Sequence, residues 1–303
     1  MTALTVLRAE ILKDISCGTG LLDLEIRAAA EEFLTRSTCW RVTLTPQDWK
    51  ATTITGITNG SPTLIAAAAH GFATGDQVLL ANMPSLQQLQ GFLWPVTVVD
   101  ANSFTIAVDS TAFDVFAGTA LATVPVYSMP ASSFAYARVC EVLGADTNST
   151  TSPGSLPIFG RPEMTGPDIA ITSPDRLDAE WPGWKREVGA PKWVVGLDES
   201  TVRFVPAPQA AAPLAWSLIV ALTLNDDATQ IPDNIYLRWK YHIASGARAR
   251  LHLEPNKPWT NDKLYAEHQE RFNAGIYKAG NRARKGFTKT PTIANAVSYG
   301  GLS

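Results

Sequence analysis

Cysteine is scarce: only Cys17, Cys39 and Cys140 occur in 303 residues, far apart and with no CxxC pair. That count excludes a disulfide framework and a cysteine zinc site, and leads one to expect synthesis in a reducing compartment. Charge is also short, at 17% of residues against roughly 25% in an ordinary globular protein. The formal net charge of −3 excludes a globally basic nucleic-acid binder, so any basic surface must be local. Long apolar runs are missing as well. The longest uncharged one, Leu214 to Leu224, is far below the ~20 residues of a spanning helix and reads as a buried strand. At the amino terminus Arg8, Glu10, Lys13 and Asp14 interrupt what a secretion signal would keep apolar, so a soluble protein is expected. The sequons at Asn59 and Asn148 then carry no weight.

Signatures of chemistry are equally thin. The sequence contains no GxxxxGK[ST], no GxSxG and no HExxH, which removes the phosphate cradle, the nucleophile elbow and the helical zinc pair. No cofactor and no metal is expected. His70 and Asp76, in Ala-His-Gly-Phe-Ala-Thr-Gly-Asp-Gln-Val from Ala69 to Val78, could be a general base and its orienting carboxylate. The same letters are hairpin punctuation: a strand end, a glycine-containing turn and a new strand at Gln77. The second reading is preferred, and no enzyme is expected.

What is present divides the chain by texture. From Thr19 to about Arg41, Leu22, Ile26, Ala29, Ala30 and Phe33 recur at helical spacing, followed by a strand at 40–45 that Pro46 stops. Between about 52 and 124 the runs are short and β-branched, Gly, Asn and Pro separate them, and charge shrinks to Asp76, Asp100, Asp109 and Asp114. Five strands forming a small barrel or sandwich are predicted there, inserted into a host whose flanks read as continuous. A Pro-, Gly- and Ser-rich stretch from Thr147 to about Trp184 is expected to be an irregular arm. Strands resume after Lys192. A second helix is expected after Pro232, capped by Asp233 or Asn234, with Ile235, Trp239, Ile243, Ala247 and Leu251 buried and Gly246 admitting another backbone. A third, from about Asn261 to Ala283, turns Leu264, His268, Phe272 and Ile276 inward. The fold class is α+β: a helical bundle, an antiparallel β region and the inserted module. The expected divisions are 1–51, 52–124, 125–231, 232–285 and an extended tail at 286–303.

Two groups of residues invite a binding role. Trp181, Trp184 and Trp193 could form a stacking platform, but burial at a core edge or at a subunit contact is the preferred reading. Lys278, Arg282, Arg284, Lys285 and Lys289 follow Glu270 with no acid among them. They are a helix end favoured by the macrodipole, or a contact for phosphate or an acidic protein surface.

The helix Asp23–Trp40, Asp-Leu-Glu-Ile-Arg-Ala-Ala-Ala-Glu-Glu-Phe-Leu-Thr-Arg-Ser-Thr-Cys-Trp, and the helix with its break from Tyr241 to Asn261 resemble head-to-tail adaptors, the neck and tail tubular proteins of short-tailed bacteriophages. The strand pair within 191–208 is similar to one such proteins carry before their last helices, and the resemblance spans residues 1–50 and 126–285. Leu34 departs from the pattern, since that helix often has cysteine there. The 69–78 stretch, with Leu89 to Ile106, is similar to a small β module of phage structural proteins and to a noncatalytic β subdomain of ubiquitin-activating enzymes. The resemblance implies a homo-oligomeric ring, usually twelve subunits, made in the host cytoplasm and placed at the head–tail junction of the virion. Its partners would be the portal protein and the tail nozzle or tube, with tail fibres at the inserted module and DNA in the channel. The basic residues and the three tryptophans are then expected at portal or neighbour contacts. The alternative is a tail spike or decoration protein whose β module binds cell-surface carbohydrate.

Overall fold

The computed structural model describes residues 1–12, 15, 17–129, 136–147, 169–198 and 200–285. Among them the fold is α+β, with helices α1 (Arg8–Ile11), α2 (Thr19–Ser37), α3 (Pro174–Glu180), α4 (Asp233–Leu253) and α5 (Asp262–Lys285) and several mostly antiparallel sheets, none closed into a barrel. No helix of the described residues is long and apolar enough to cross a membrane.

The apolar spacing of α2 buries Leu22, Ile26, Ala29, Ala30 and Phe33 completely. Leu34 is equally buried, so the branched side chain packs where the resemblance would often have cysteine. The helix stops four residues before Arg41, because Thr38 turns left-handed (φ 46°) and its N–H bonds Leu34 O at 2.9 Å. Neither Asp233 nor Asn234 caps α4. Pro232 holds that position, and the Asp233 carboxylate instead takes the Met1 ammonium at 2.8 Å and the Thr2 hydroxyl at 2.5 Å. The Pro232 carbonyl accepts the Ile235 and Tyr236 N–H groups at 3.0 Å, and Asn234 Oδ1 accepts the Ile235 N–H at 3.0 Å from within the first turn.

Helices α2, α4 and α5 pack on one another around Phe33, Ile243, Phe272 and Ile276. Gly246 and Gly275 make the α4–α5 approach possible. A Cβ on Gly246 would stand 2.6 Å from the Phe272 ring, and one on Gly275 would run into His242. Gly246 therefore admits an aromatic ring rather than another backbone. Burying Phe272 contributes roughly 1.5–3 kcal/mol, well above the 0.2–1 kcal/mol of a half-exposed pair such as Arg250–Glu32 at 2.8 Å.

The strand Ala212–Leu224 pairs antiparallel with Ala137–Thr147, Arg41–Thr43 and Gln47–Trp49. Beside it Thr201–Val205 pairs with Val126–Ser128 and Trp193–Gly196, and Ala170–Thr172 runs parallel to the last. Everything from Ala51 to Thr123 makes its own sheet of seven strands where five were expected. The run at 52–58 is two strands, 51–54 and 56–58, which occupy opposite edges of that sheet and are joined by Thr55 alone. These edges do not pair with each other, so the expected barrel stays open. Ala120–Thr123, too short and alanine-rich to announce itself, is the strand added at the exit.

The expected arm is only partly testable, because 148–168 lie outside the described residues. Its end is ordered: Ser173 Oγ accepts the Arg176 N–H and Pro174 opens α3. Serine followed by proline is a helix start, and the composition of the stretch concealed it.

Gly275→Ala is expected to cost about 1–3 kcal/mol by overpacking, read from urea unfolding followed by circular dichroism. A variant as stable as the parent would mean that α4 and α5 are not locked at this point.

Candidate functional site

His70 and Asp76 do not meet. The His70 ring is buried at 4% exposure and lies between Phe72 and Phe104, with centroids 5.0 and 5.5 Å away. Its Nδ1 accepts the Phe72 N–H at 3.0 Å, which leaves Nε2 to carry the proton and donate to Asp100 O at 2.9 Å. Both nitrogens are spent on the backbone, so nothing remains with which to take a substrate proton. Asp76 Oδ2 accepts the Ala73 N–H at 2.9 Å and the Lys50 ammonium at 2.8 Å. Gly71 and Gly75 have φ of +64° and +97°, the left-handed values that glycine alone adopts freely. The stretch is therefore a braced turn, with Val78 and Leu80 fully buried behind it.

The Lys50–Asp76 pair forms one wall of a cleft of about 640 Å³, lined also by Gln47, Asp48, Gln77 and Tyr127. It opens where the 51–123 sheet meets the strands on either side of it. Tyr127 OH accepts the Lys50 N–H at 3.2 Å, and burial pushes its phenol well above the usual range, so it stays protonated. Asp48 accepts the Leu214 N–H at 2.7 Å. Lys50, Asp76, Tyr127 and Asp48 are thus engaged in holding segments together. Lys50 drew no attention in the sequence because its partner lies twenty-six residues away, inside the turn.

The tryptophans do come together, chiefly for their own chain. Trp184 is 2% exposed, packs with Leu177, Val195 and Val205, and donates Nε1–H to Asp178 at 2.8 Å. The half-buried Trp181 and Trp193 rings contact at 5.3 Å, and only these two present an outward edge. Arg203, 6% exposed, lies over Trp184 at 5.0 Å and donates to Lys185 O at 2.5 Å; burial lowers its guanidinium to about 10. Sequence spacing could not reveal this buried cation, because the strand Thr201–Val205 is otherwise apolar on that face.

Lys278, Arg282, Arg284 and Lys285 occupy the exposed side of the last turns of α5. Lys278 stands close enough to His242, and Arg284 to Arg41, to lower those groups after burial has done so first. The basic end thus extends onto neighbouring elements. Lys289 and the tail at 286–303 lie outside the described residues.

His252 and His268, sixteen residues apart on different helices, stack at 5.6 Å with their planes 7° apart. His252 Nδ1 lies 2.6 Å from Trp259 O, while His252 Nε2 and His268 Nδ1 are buried without a partner. No group of three or more His, Cys, Asp or Glu that could hold a metal ion occurs among the described residues.

Burial, then Arg248, His252 and Arg271, hold His268 below the ordinary imidazole value, against a smaller opposite pull from Glu267. The neutral ring is the form the fold prefers, so the unfolded chain binds more protons as pH falls through about 6.5. Stability is expected to be full above that value and to decline below it. Melting temperature should rise between about pH 5 and pH 7, and His268→Gln should flatten the rise; an unchanged slope would assign it elsewhere. Set against known proteins, the chain matches no model of a protein family and no curated sequence.

Proposed function

We propose that this chain is a head-to-tail adaptor of a short-tailed phage particle, a ring-forming virion protein that joins portal to tail around the DNA channel. The observation that carries the reading is how the segment 51–123 is attached. Ala51 pairs with Thr123, and Val124 N–H bonds Lys50 O at 2.9 Å, so the segment leaves and re-enters at one point. The chain before it and after it meets on the strand Ala212–Leu224 and among α2, α4 and α5. A host of three packed helices and a β region, interrupted by a β module, is the organisation the resemblance implies. Loops of a host are where such modules are accommodated.

The work of such a protein is docking, sealing and passage, with no turnover. The acid-free end of α5 is the surface we assign to the portal or an adjacent subunit, and the module is assigned outward, toward tail proteins or fibres. Identical subunits with heterologous contacts close into rings.

Light scattering of the purified chain, alone and with its cognate portal, is expected to give a ring of adaptor subunits on the portal; no change in mass would sink the adaptor reading. Specific binding on a glycan array would favour the spike or decoration protein instead. Replacing 52–123 by a short glycine link is expected to leave a soluble, helical, portal-binding protein. Insolubility of that variant would mean that the core shared through Trp49 and Tyr127 makes the segment an integral part of the host.

A further inference from the structure

Charge in this chain is segregated. From Ala51 to Ala137 there are four aspartates and no lysine or arginine, whereas from Arg271 to Lys285 there are five cations and no acid. Asp76 is occupied by Lys50. Asp100, Asp109 and Asp114 form no ion pair among the described residues.

Two of these aspartates flank an exposed apolar knob. In the loop from Asp109 to Phe116, Phe113 and Phe116 pack on the module core. The Asn59 side-chain amide donates to Phe113 O at 2.8 Å and to Asp114 O at 3.1 Å. Asp109 is tied to the Thr111 N–H at 3.0 Å and the Thr111 hydroxyl at 2.7 Å. On this braced loop Asp114 is exposed, and Val115 is 82% exposed. The ordering entropy that usually opposes association has already been spent.

A complementary surface lies on the helices. Leu237 and Tyr241, one turn apart on α4, are 71% and 62% exposed. Lys240 Nζ sits 4.9 Å from the Tyr241 ring. Across the helix pair, a Cβ on Gly275 would meet His242, and Lys278, one turn further along α5, stands near enough to act on the same imidazole, next in sequence to Tyr241. The face offers two exposed apolar side chains with Lys240 against one of them and Lys278 on the adjoining helix, and the one carboxylate a turn before Leu237, Asp233, is taken by the Met1 ammonium. The loop packs on one hydrophobic core and the helical face flanks another.

We propose that the Asp109–Phe116 loop of one copy docks on the Leu237–Tyr241 face of the next, Val115 against the two apolar side chains and Asp109 and Asp114 beside Lys240 and Lys278. The contact joins two different patches, so it is heterologous and propagates around an axis. It rests on the ring reading above and names the contact that closes the ring. A second copy is the occupant because the same chain carries both the acidic knob and the basic socket, and opposite potentials steer such an encounter.

The test uses the full chain without portal. Sedimentation velocity at low ionic strength is expected to show self-association that weakens as salt is added. Zero-length carbodiimide cross-linking followed by mass spectrometry should join Asp114 or Asp109 to Lys278 or Lys240. Asp114→Lys and Lys278→Glu should each weaken association at least about tenfold, since like charges meet across the contact, and an equimolar mixture of the two variants should restore it. Three results overturn the proposal: a monomer at every salt concentration, reversals without effect, or cross-links confined to other surfaces. Loss of duplex DNA binding in Lys278→Glu with self-association intact would give the face to DNA and overturn it equally. An Asp114→Lys protein that still forms a ring on the portal rejects this contact and leaves the adaptor function standing. Failure of the parent chain to bind portal rejects that function and leaves the cross-link to be judged on its own.

Discussion

From Ala215 onward the strand Ala212–Leu224 is buried on both faces, Ile219 alone being only partly so, and much of the fold packs against it. On one side Trp216, Leu218, Val220 and Leu222 enter the core that also takes in the 51–123 sheet. On the other, the strand packs against α2, where Thr223 Oγ is bonded to Thr35 Oγ at 3.0 Å and donates to Glu31 O at 3.2 Å. The hydroxyl of Thr223 lets α2 lie close at that point, and large residues on the other side fill the sheet interior. A strand covered this way has no polar face to show, which is why it reads as an unbroken apolar run.

That strand also sets how the remaining parts can connect. Its first half takes Trp49, whose ring sits among Tyr127, Phe204 and Trp216 at centroid distances of 5.7, 4.6 and 5.7 Å. This aromatic cluster lies beside the point where the 51–123 sheet joins the rest of the chain, next to the cleft that holds Lys50 and Asp76. At the other end Leu224 passes into the helical core with Ile231 and Ile235. The helices are then locked by two reciprocal fits, Gly246 against Phe272 and Gly275 against His242. Ring-against-glycine packing fixes the register of α4 on α5 more sharply than a stripe of leucines would, because a one-residue slip puts a Cβ into a ring.

The parts legible in the sequence were those governed by local periodicity. Leu22, Ile26, Ala29, Ala30 and Phe33 announced α2, and the alternation after Lys192 announced the paired strands. What stayed hidden depends on partners remote in sequence. Asp233 looked like a helix cap and is instead claimed by the amino terminus. The split at Thr55 cannot be read locally, because 51–54 and 56–58 differ only in which neighbours they pair with. His252 and His268 look like unrelated helical residues until α4 folds back on α5. For the turn at 69–78 the residue types admit catalysis but favour architecture. The backbone partners of His70 and the ammonium of Lys50 on Asp76 decide between them.

A low total charge need not mean an electrostatically quiet surface. Where cations and acids are interspersed, each side chain is screened by its neighbours and long-range fields cancel. Here the aspartates of the module have no cation within their own segment, and the end of α5 has no acid within its last fifteen residues. The net charge of −3 is the sum over 25 cations and 28 acids of the whole chain, and it does not show these two one-signed stretches, each with a field that reaches about a Debye length, roughly 8 Å at physiological salt. Fields of that range do little for the stability of a monomer, where exposed pairs contribute under about 1 kcal/mol. Their effect falls on encounter, by orienting a partner before contact and disfavouring approaches that bring like patches together. The fold itself is held by buried packing, Phe272 against Gly246 and Trp216 among Trp49, Tyr127 and Phe204, rather than by these exposed charges.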